Sequence, residues 1–134
     1  MDQDVGSAAH LREIGEQECW DLLGSRPVGR IVWTGSDGLN VLPVNYRTGP
    51  DEIVVRATAY SSMARECDDS PVAFQVDHVD PMARSGWSVL VRGIARFEVV
   101  GHQDDDVDVW PAGHRPLQVR IEAVQVTGRR LQSD

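Results

Sequence analysis

The chain has 134 residues, 41% apolar content and a formal net charge of −8. This length predicts one domain over residues 1–134, and the apolar content argues against disorder. The acidic balance argues against nucleic acid as a partner, because affinity for a polyanion comes from a cationic surface. No apolar run reaches the roughly 20 residues that span a bilayer, and no apolar stretch follows the acidic N-terminus, so we expect a cytoplasmic protein without a membrane partner.

The basic and sulfur-containing residues exclude several chemistries. All 13 basic residues are arginine, and the absence of lysine excludes Schiff-base catalysis, including pyridoxal phosphate anchored by lysine. Cys19 and Cys67 lie in apolar patterns without a ligand-spaced partner, so we predict two buried, reduced thiols and no metal site. A hydrolase has little support, because the histidines are scattered and no nucleophile motif accompanies them.

The elements, in chain order, predict a mostly β domain. We expect a flexible leader over residues 1–10 and a helix from Leu11 to Leu23, where the apolar spacing is helical. Six segments then have strand character: residues 28–34, 39–46, 52–58, 71–77, 86–100 and 117–127. A short helix is expected from Ser61 or Ser62 to about Cys67, with a serine as its N-cap. Without alternating βαβ units, this order predicts a small antiparallel barrel.

Two local irregularities refine the strands. Pro43 removes a backbone donor in mid-strand, which predicts an edge strand or a bend at that point. In the last strand, the apolar parity slips between Ala123 and Val124, which predicts a bulge.

The junction between the third strand and the short helix is a candidate phosphate site. Arg56 and Thr58 project from one face of the strand, and Ser61 and Ser62 follow at the helix start. Helix N–H groups and an arginine are recurring partners of phosphate. An equally weighted interpretation is that the serines only cap the helix and Arg56 points to solvent.

Two further segments could border a flat ring. A bend at Pro43, within residues 42–46, would expose backbone groups that can pair with the polar edge of a heterocycle. Trp87 is either a core residue or the border of an aromatic ligand, and Ser88 faces the other way as a potential donor.

The order of six short motifs resembles the pyridoxamine 5′-phosphate oxidase-like flavin-binding family, in its short actinobacterial-type branch. The resemblance runs from about Gly15 to Leu131, and GWSVLVRG at residues 86–93 is its most specific part. The other motifs are GR at 29–30, LPVNY at 42–46, RAT at 56–58, VAFQVD at 72–77 and VTGRR at 126–130.

The resemblance implies a six-stranded antiparallel split β-barrel and a homodimer with two cofactor sites at its interface. The strand with Pro43, Val44, Asn45 and Tyr46 would lie along the isoalloxazine ring of FMN. The ribityl phosphate would be surrounded by Arg56, Thr58, Ser61 and Ser62. Trp87 and Ser88 would approach the ring, and Arg129 would reach a cofactor or substrate across the interface.

One position departs from the family pattern. Family members usually have a phosphate-contacting lysine directly after the serine pair, and here that position is Met63. The loss of one charge-assisted contact costs about 1.5–3 kcal/mol, or roughly ten- to a hundredfold in affinity.

These observations leave four hypotheses for the function. The leading one is an FMN-dependent oxidoreductase of unknown substrate, for which the sequence indicates no catalytic residue. The second is an oxidoreductase that binds the deazaflavin F420. The third is a non-catalytic flavin-binding, storage or sensing protein, and the fourth is a dimeric module without a cofactor.

Overall fold

The structure, a computed structural model, describes residues 9–100 and 107–133. These residues form eight strands and two helices, and the predicted mostly β class is confirmed. The elements are β1 (Ala9–Ile14), α1 (Glu16–Leu23), β2 (Val28–Gly35), β3 (Gly38–Asn45), β4 (Arg47–Gly49), β5 (Glu52–Ala57), α2 (Ser62–Cys67), β6 (Ser70–Asp80), β7 (Ser85–Val99) and β8 (Leu117–Ser133).

All strands belong to one antiparallel sheet that is not closed. Its order is β3-β2-β6-β7-β8-β5-β4, and β1 also pairs with β8. One edge of β8 pairs with β7, whereas β5 and β1 share the other edge, with Ile53 opposite Ile121 and Leu11 opposite Leu131. The described chain thus has two strands more than predicted, because the N-terminal segment and the three residues of β4 also join the sheet.

Both predicted strand irregularities are confirmed. β3, which contains Pro43, is an edge strand that pairs only with β2 among the described residues. In the β7–β8 pair, Arg92 lies opposite Gln125 and Gly93 lies opposite Ala123, so Val124 is an extra residue in β8. At this bulge the strands approach closely, because a Cβ on Gly93 would lie 2.2 Å from the carbonyl oxygen of Glu122.

The core lies on the concave side of the sheet and is completed by the two helices. Alternate residues of β7, including Val89, Val91 and Ala95, are buried there. α1 contributes Cys19 and Leu23, and α2 contributes Met63, Ala64 and Cys67. Within the described ranges, neither helix has the length and apolar content that a membrane span requires.

The N-terminal prediction was wrong in two respects. Ala9 and His10 are not part of a leader, since they pair with the last turn of β8, and residues 1–8 lie outside the described residues. The helix begins at Glu16 instead of Leu11, because residues 9–14 form β1. The reason is tertiary: β8 continues past Thr127 to Ser133, and its free edge pairs with β1 along six residue pairs.

Burial determines the reactivity of both cysteines. Cys19 and Cys67 are free thiols without exposed surface. Burial, followed by the charge of Glu66, raises the pKa of Cys67 to about 12, and burial raises that of Cys19 as well. A raised thiol pKa keeps the group protonated at neutral and mildly alkaline pH, so little nucleophilic thiolate is present.

We therefore expect neither thiol to react rapidly with a disulfide reagent such as DTNB at pH 8 in the native protein. For Cys67, the shift from 9.0 to about 12 lowers the thiolate fraction by about a thousandfold. The measurement is the absorbance of released thionitrobenzoate, with urea-unfolded protein as the control in which both cysteines should react. One equivalent of rapid reaction under native conditions would contradict the burial described here.

Candidate ligand site

A cavity of about 760 Å³ lies between the edge strand β3 and the C-terminal end of β5. We call it the seam cavity, because it occupies the gap where the open sheet does not close. Its described lining residues are Val28, Trp33, Asn40, Val41, Leu42, Pro43, Val44, Asn45, Arg56, Ala57, Thr58, Ser61, Ser62, Met63, Val109, Trp110, Pro111 and Arg115.

Two arginines lie together in this lining. Ala57 at the end of β5 pairs with Leu117 at the start of β8. This register brings the chain after β5 next to the chain before β8, where Arg115 lies. The Arg56 guanidinium, only 8% exposed, donates from Nη2 to the carbonyl oxygen of Arg115 at 2.7 Å. Arg56 therefore lines the cavity and does not point to solvent.

The hydroxyl groups of the junction divide between two roles. The Ser61 Oγ accepts a hydrogen bond from the Ala64 N–H at 3.1 Å, so the capping interpretation is confirmed for Ser61. Ser62 is exposed and Thr58 is half-buried, and both line the cavity. The buried Met63 also reaches the lining and brings no charge to it.

Asn45 connects β3 to the chain segment that precedes β8. Its Nδ2 donates to the carbonyl oxygen of Pro27 at 3.0 Å, and its Oδ1 accepts from the Trp110 N–H at 2.8 Å. Trp110 is 62% exposed and forms part of the cavity lining. The side chain of Asn45 is thus engaged with the backbone, while its neighbours Pro43 and Val44 also line the cavity.

A carboxylate fixes the orientation of a second tryptophan in the lining. The Trp33 Nε1–H donates to Glu66 Oε1 at 3.0 Å, and the Ser36 N–H and hydroxyl donate to Oε2. The Trp33 hydrogen bond, followed by the one from the Ser36 backbone, holds the pKa of Glu66 below its usual range. Glu66 is therefore ionised at neutral pH and orients the Trp33 indole at the cavity wall.

The structure places Tyr46 in the core instead of in the seam cavity. Its ring packs edge-on against Phe74 with centroids 4.9 Å apart, and its hydroxyl donates to the Leu23 carbonyl at the end of α1. Burial raises the pKa of Tyr46 to about 12. The physical reason is strand alternation, because Tyr46 projects to the face opposite that of Asn45.

The remaining predicted residues lie elsewhere in the chain. Ser88 and Arg129 are directly opposite each other in the β7–β8 pair and line a second cavity of about 650 Å³, which shares no described residue with the seam cavity. Trp87 is half-buried and packs against the core. Within one chain, the structure thus brings together eight of the twelve predicted residues: Pro43, Val44, Asn45, Arg56, Thr58, Ser61, Ser62 and Met63.

The sequence patterns did not indicate two residues of the seam cavity, Trp110 and Arg115. Both precede β8, in a segment without periodic strand or helix character, and only the β5–β8 register brings them to the site. A correct pairing of Ala57 with Leu117 would have been the signal.

Comparison with known proteins agrees with this architecture. The family model described as pyridoxamine 5′-phosphate oxidase matches residues 15–130. The chain belongs to the pyridoxamine 5′-phosphate oxidase family. The matched region begins at the N-terminus of α1 and extends into the last part of β8, so it includes both cavities.

Three similar proteins illustrate the range of this family. An uncharacterized protein from Mycobacterium tuberculosis is 33% identical over 96% of this chain and 90% of its own length. The structure of an FAD-binding protein from Mycobacterium smegmatis is 31% identical, with a TM-score of 0.71 over 90% of this chain and 98% of that one. An FAD-binding protein from Mesorhizobium loti, 24% identical, matches the fold with a TM-score of 0.73 over 93% of this chain and 99% of that one.

We expect Tyr46→Phe to lower the free energy of unfolding by about 0.5–1.5 kcal/mol, since it removes one buried hydrogen bond to the Leu23 carbonyl. Urea unfolding followed by tryptophan fluorescence measures this change. Tyr60→Phe is the matched control, because Tyr60 is 90% exposed and should leave the midpoint unchanged. Equal midpoints for Tyr46→Phe and the wild type would argue against the role assigned to this hydroxyl.

Proposed function

We propose that this protein binds a flavin nucleotide in the seam cavity, recognises its FMN portion, and uses the flavin as an oxidoreductase cofactor. The observation that carries this proposal is the convergence of two arginines, three hydroxyl groups and an apolar edge strand on one cavity. A volume of about 760 Å³ is within the usual range for small-molecule sites.

The charged part of the lining fits a phosphate group. Arg56 and Arg115 can donate charge-assisted hydrogen bonds, and Thr58 and Ser62 add hydroxyl donors. None of the lining residues in the described ranges is acidic. The Arg115 Nε is a buried donor with no acceptor among residues 9–100 and 107–133, which is the condition that a bound anion would relieve.

The β3 part of the lining fits a planar ring. As an edge strand, β3 carries backbone N–H and C=O groups on the side that does not pair with β2, and these can meet the polar edge of an isoalloxazine. Val44 and the tryptophans of the lining offer apolar faces beside them. Asn45 would act indirectly, by holding the Trp110 backbone at the cavity.

The chain's contribution to the chemistry would be binding and orientation. A bound flavin supplies hydride and electron transfer. The lining described above includes no aspartate, glutamate, histidine or cysteine, so we assign no proton-transfer role to a side chain there. The protein would exclude water from one ring face and leave the other accessible to a small substrate.

FAD is a second candidate cofactor. The M. smegmatis protein, 31% identical to this chain, is described as an FAD-binding protein. FAD contains the FMN moiety, and the exposed Trp110 beside the cavity offers a stacking surface for its second ring system. F420 is a third candidate, because it would place a phosphate ester at the same arginines.

We expect FMN to bind the purified protein at least about tenfold more tightly than riboflavin, since only FMN has the phosphate that the arginines would contact. Calorimetric titration of FMN, FAD, F420 and riboflavin measures the order of affinities. FAD binding more tightly than FMN would favour the second candidate, and F420 would be chosen on the same criterion. A protein that binds none of the four would be the module without a cofactor, and the proposal would fail.

Activity is tested separately on the flavin-loaded protein. We expect a nicotinamide or dye reductant to bleach the flavin absorbance and an acceptor to restore it. Binding without any such turnover would leave a flavin storage or sensing protein and would remove the oxidoreductase part.

We further propose that the protein is a homodimer in which each site contains residues of both copies. Leu39 and Val41 of β3 are 80% and 61% exposed, so an apolar edge strand is open to a partner beside the seam cavity. Ser88 and Arg129 line a different cavity of the same chain. A second copy packed on β3 could present them to the ring bound in the first.

Val41→Glu should therefore give a monomer in analytical ultracentrifugation and weaken flavin binding, because a charge on β3 would oppose burial. Met82→Glu is the matched control, since Met82 is 94% exposed, lines neither cavity and should leave the dimer intact. A monomeric wild-type protein that binds flavin would overturn the dimer and leave the flavin proposal standing.

A further inference from the structure

We propose that Arg115 is a second phosphate-binding cation of the seam cavity and that, with Arg56, it selects ligands whose phosphate carries roughly two negative charges. The inference rests on the proposed function only in taking a flavin nucleotide as that ligand. The anion site itself follows from the two arginines and their surroundings.

The backbone around Arg115 is fixed from two sides. Its carbonyl oxygen accepts the hydrogen bond from Arg56 Nη2 at 2.7 Å, and the next carbonyl, that of Pro116, accepts from the Val100 N–H at 2.8 Å. Leu117 then enters the sheet opposite Ala57. A side chain on such a constrained segment loses little additional freedom when it binds a ligand.

The side chain of Arg115 differs from those of other partly buried arginines. Arg120 pairs with Glu52 at 2.6 Å, and Arg130 pairs with Glu18 at 2.7 Å. Arg115 is also half-buried, but it has no carboxylate partner within residues 9–100 and 107–133. A buried guanidinium N–H without an acceptor is costly, and a phosphate oxygen in the cavity would satisfy it.

The charge of the seam cavity comes from these two arginines, as far as the described lining is concerned. Helix α2 adds no charge, because Met63 is the residue that it turns into the lining, while Arg65 donates outside it to the Ala59 carbonyl at 2.8 Å. Since the Arg115 backbone positions the Arg56 guanidinium, the two cations are presented as one unit. Two adjacent cations match a phosphate dianion better than a singly charged or neutral ligand.

The test compares Arg115→Gln and Arg115→Lys with the wild type, using FMN, riboflavin and inorganic phosphate as probes. We expect Arg115→Gln to weaken FMN binding roughly ten- to a hundredfold, to leave riboflavin binding unchanged, and to abolish the rise in Tm that phosphate gives the wild type. Arg115→Lys should fall in between, because it keeps the charge without the planar fork of donors. Arg84→Gln is the matched control: Arg84 is exposed in the β6–β7 turn, lines neither cavity and should bind like the wild type.

A second measurement uses only the wild-type protein, so it does not depend on the folding of a variant. Phosphate or FMN should protect Arg115 from modification by phenylglyoxal, as read from peptide masses, and should not protect Arg84. Equal modification of Arg115 with and without these probes would count against the proposal.

The outcomes separate this inference from the flavin assignment. If the wild type binds FMN and phosphate and Arg115→Gln binds both equally well, Arg115 is not a phosphate ligand and the flavin proposal stands. If the wild type responds to phosphate through Arg115 but binds no flavin, the anion site stands and the flavin proposal fails. If the wild type responds to neither, both fail.

Discussion

The antiparallel pairing between the end of β5 and the start of β8 is the constraint on which the seam cavity depends. With Ala57 opposite Leu117, two segments 59 residues apart in sequence meet, and the Arg56 guanidinium bonds to the Arg115 carbonyl. The same register leaves the sheet open between β3 and β5, and this opening is the cavity. One long strand, β8, thus organises both the fold and the candidate site, because its free edge serves β5 in one half and β1 in the other.

The features that the sequence predicted correctly are those encoded within a few residues. The edge position of β3 follows from the missing N–H of Pro43, and the bulge at Val124 follows from a slip in apolar parity. The cap of α2 follows from the position of Ser61. Each of these signals acts through local backbone geometry, so no knowledge of the partner strand is needed to detect it.

The errors lie where a distant partner decides the conformation. Leu11 and Ile14 are spaced as on a helix, yet β1 forms because β8 offers an unpaired edge at Leu131 and its neighbours. A strand prediction that ended at Thr127 removed this edge and with it the reason for β1. Tyr46 illustrates a subtler difficulty: a motif names consecutive residues, while strand alternation sends neighbours to opposite faces, so Tyr46 packs against Phe74 while Asn45 lines the cavity. Arg115 was missed for the related reason that its segment has no periodic pattern.

The distribution of charge links these observations to function. The chain carries a net charge of −8, and several arginines of the sheet are neutralised by carboxylates, as Arg120 is by Glu52 and Glu98. The seam cavity is different, because its described lining contains two arginines and no acid. Holding two cations together in a half-buried space is unfavourable unless an anion joins them. An acidic protein that nevertheless keeps a positive cavity has the electrostatic arrangement suited to one small phosphorylated ligand, and unsuited to a polyanion that would meet the rest of the surface.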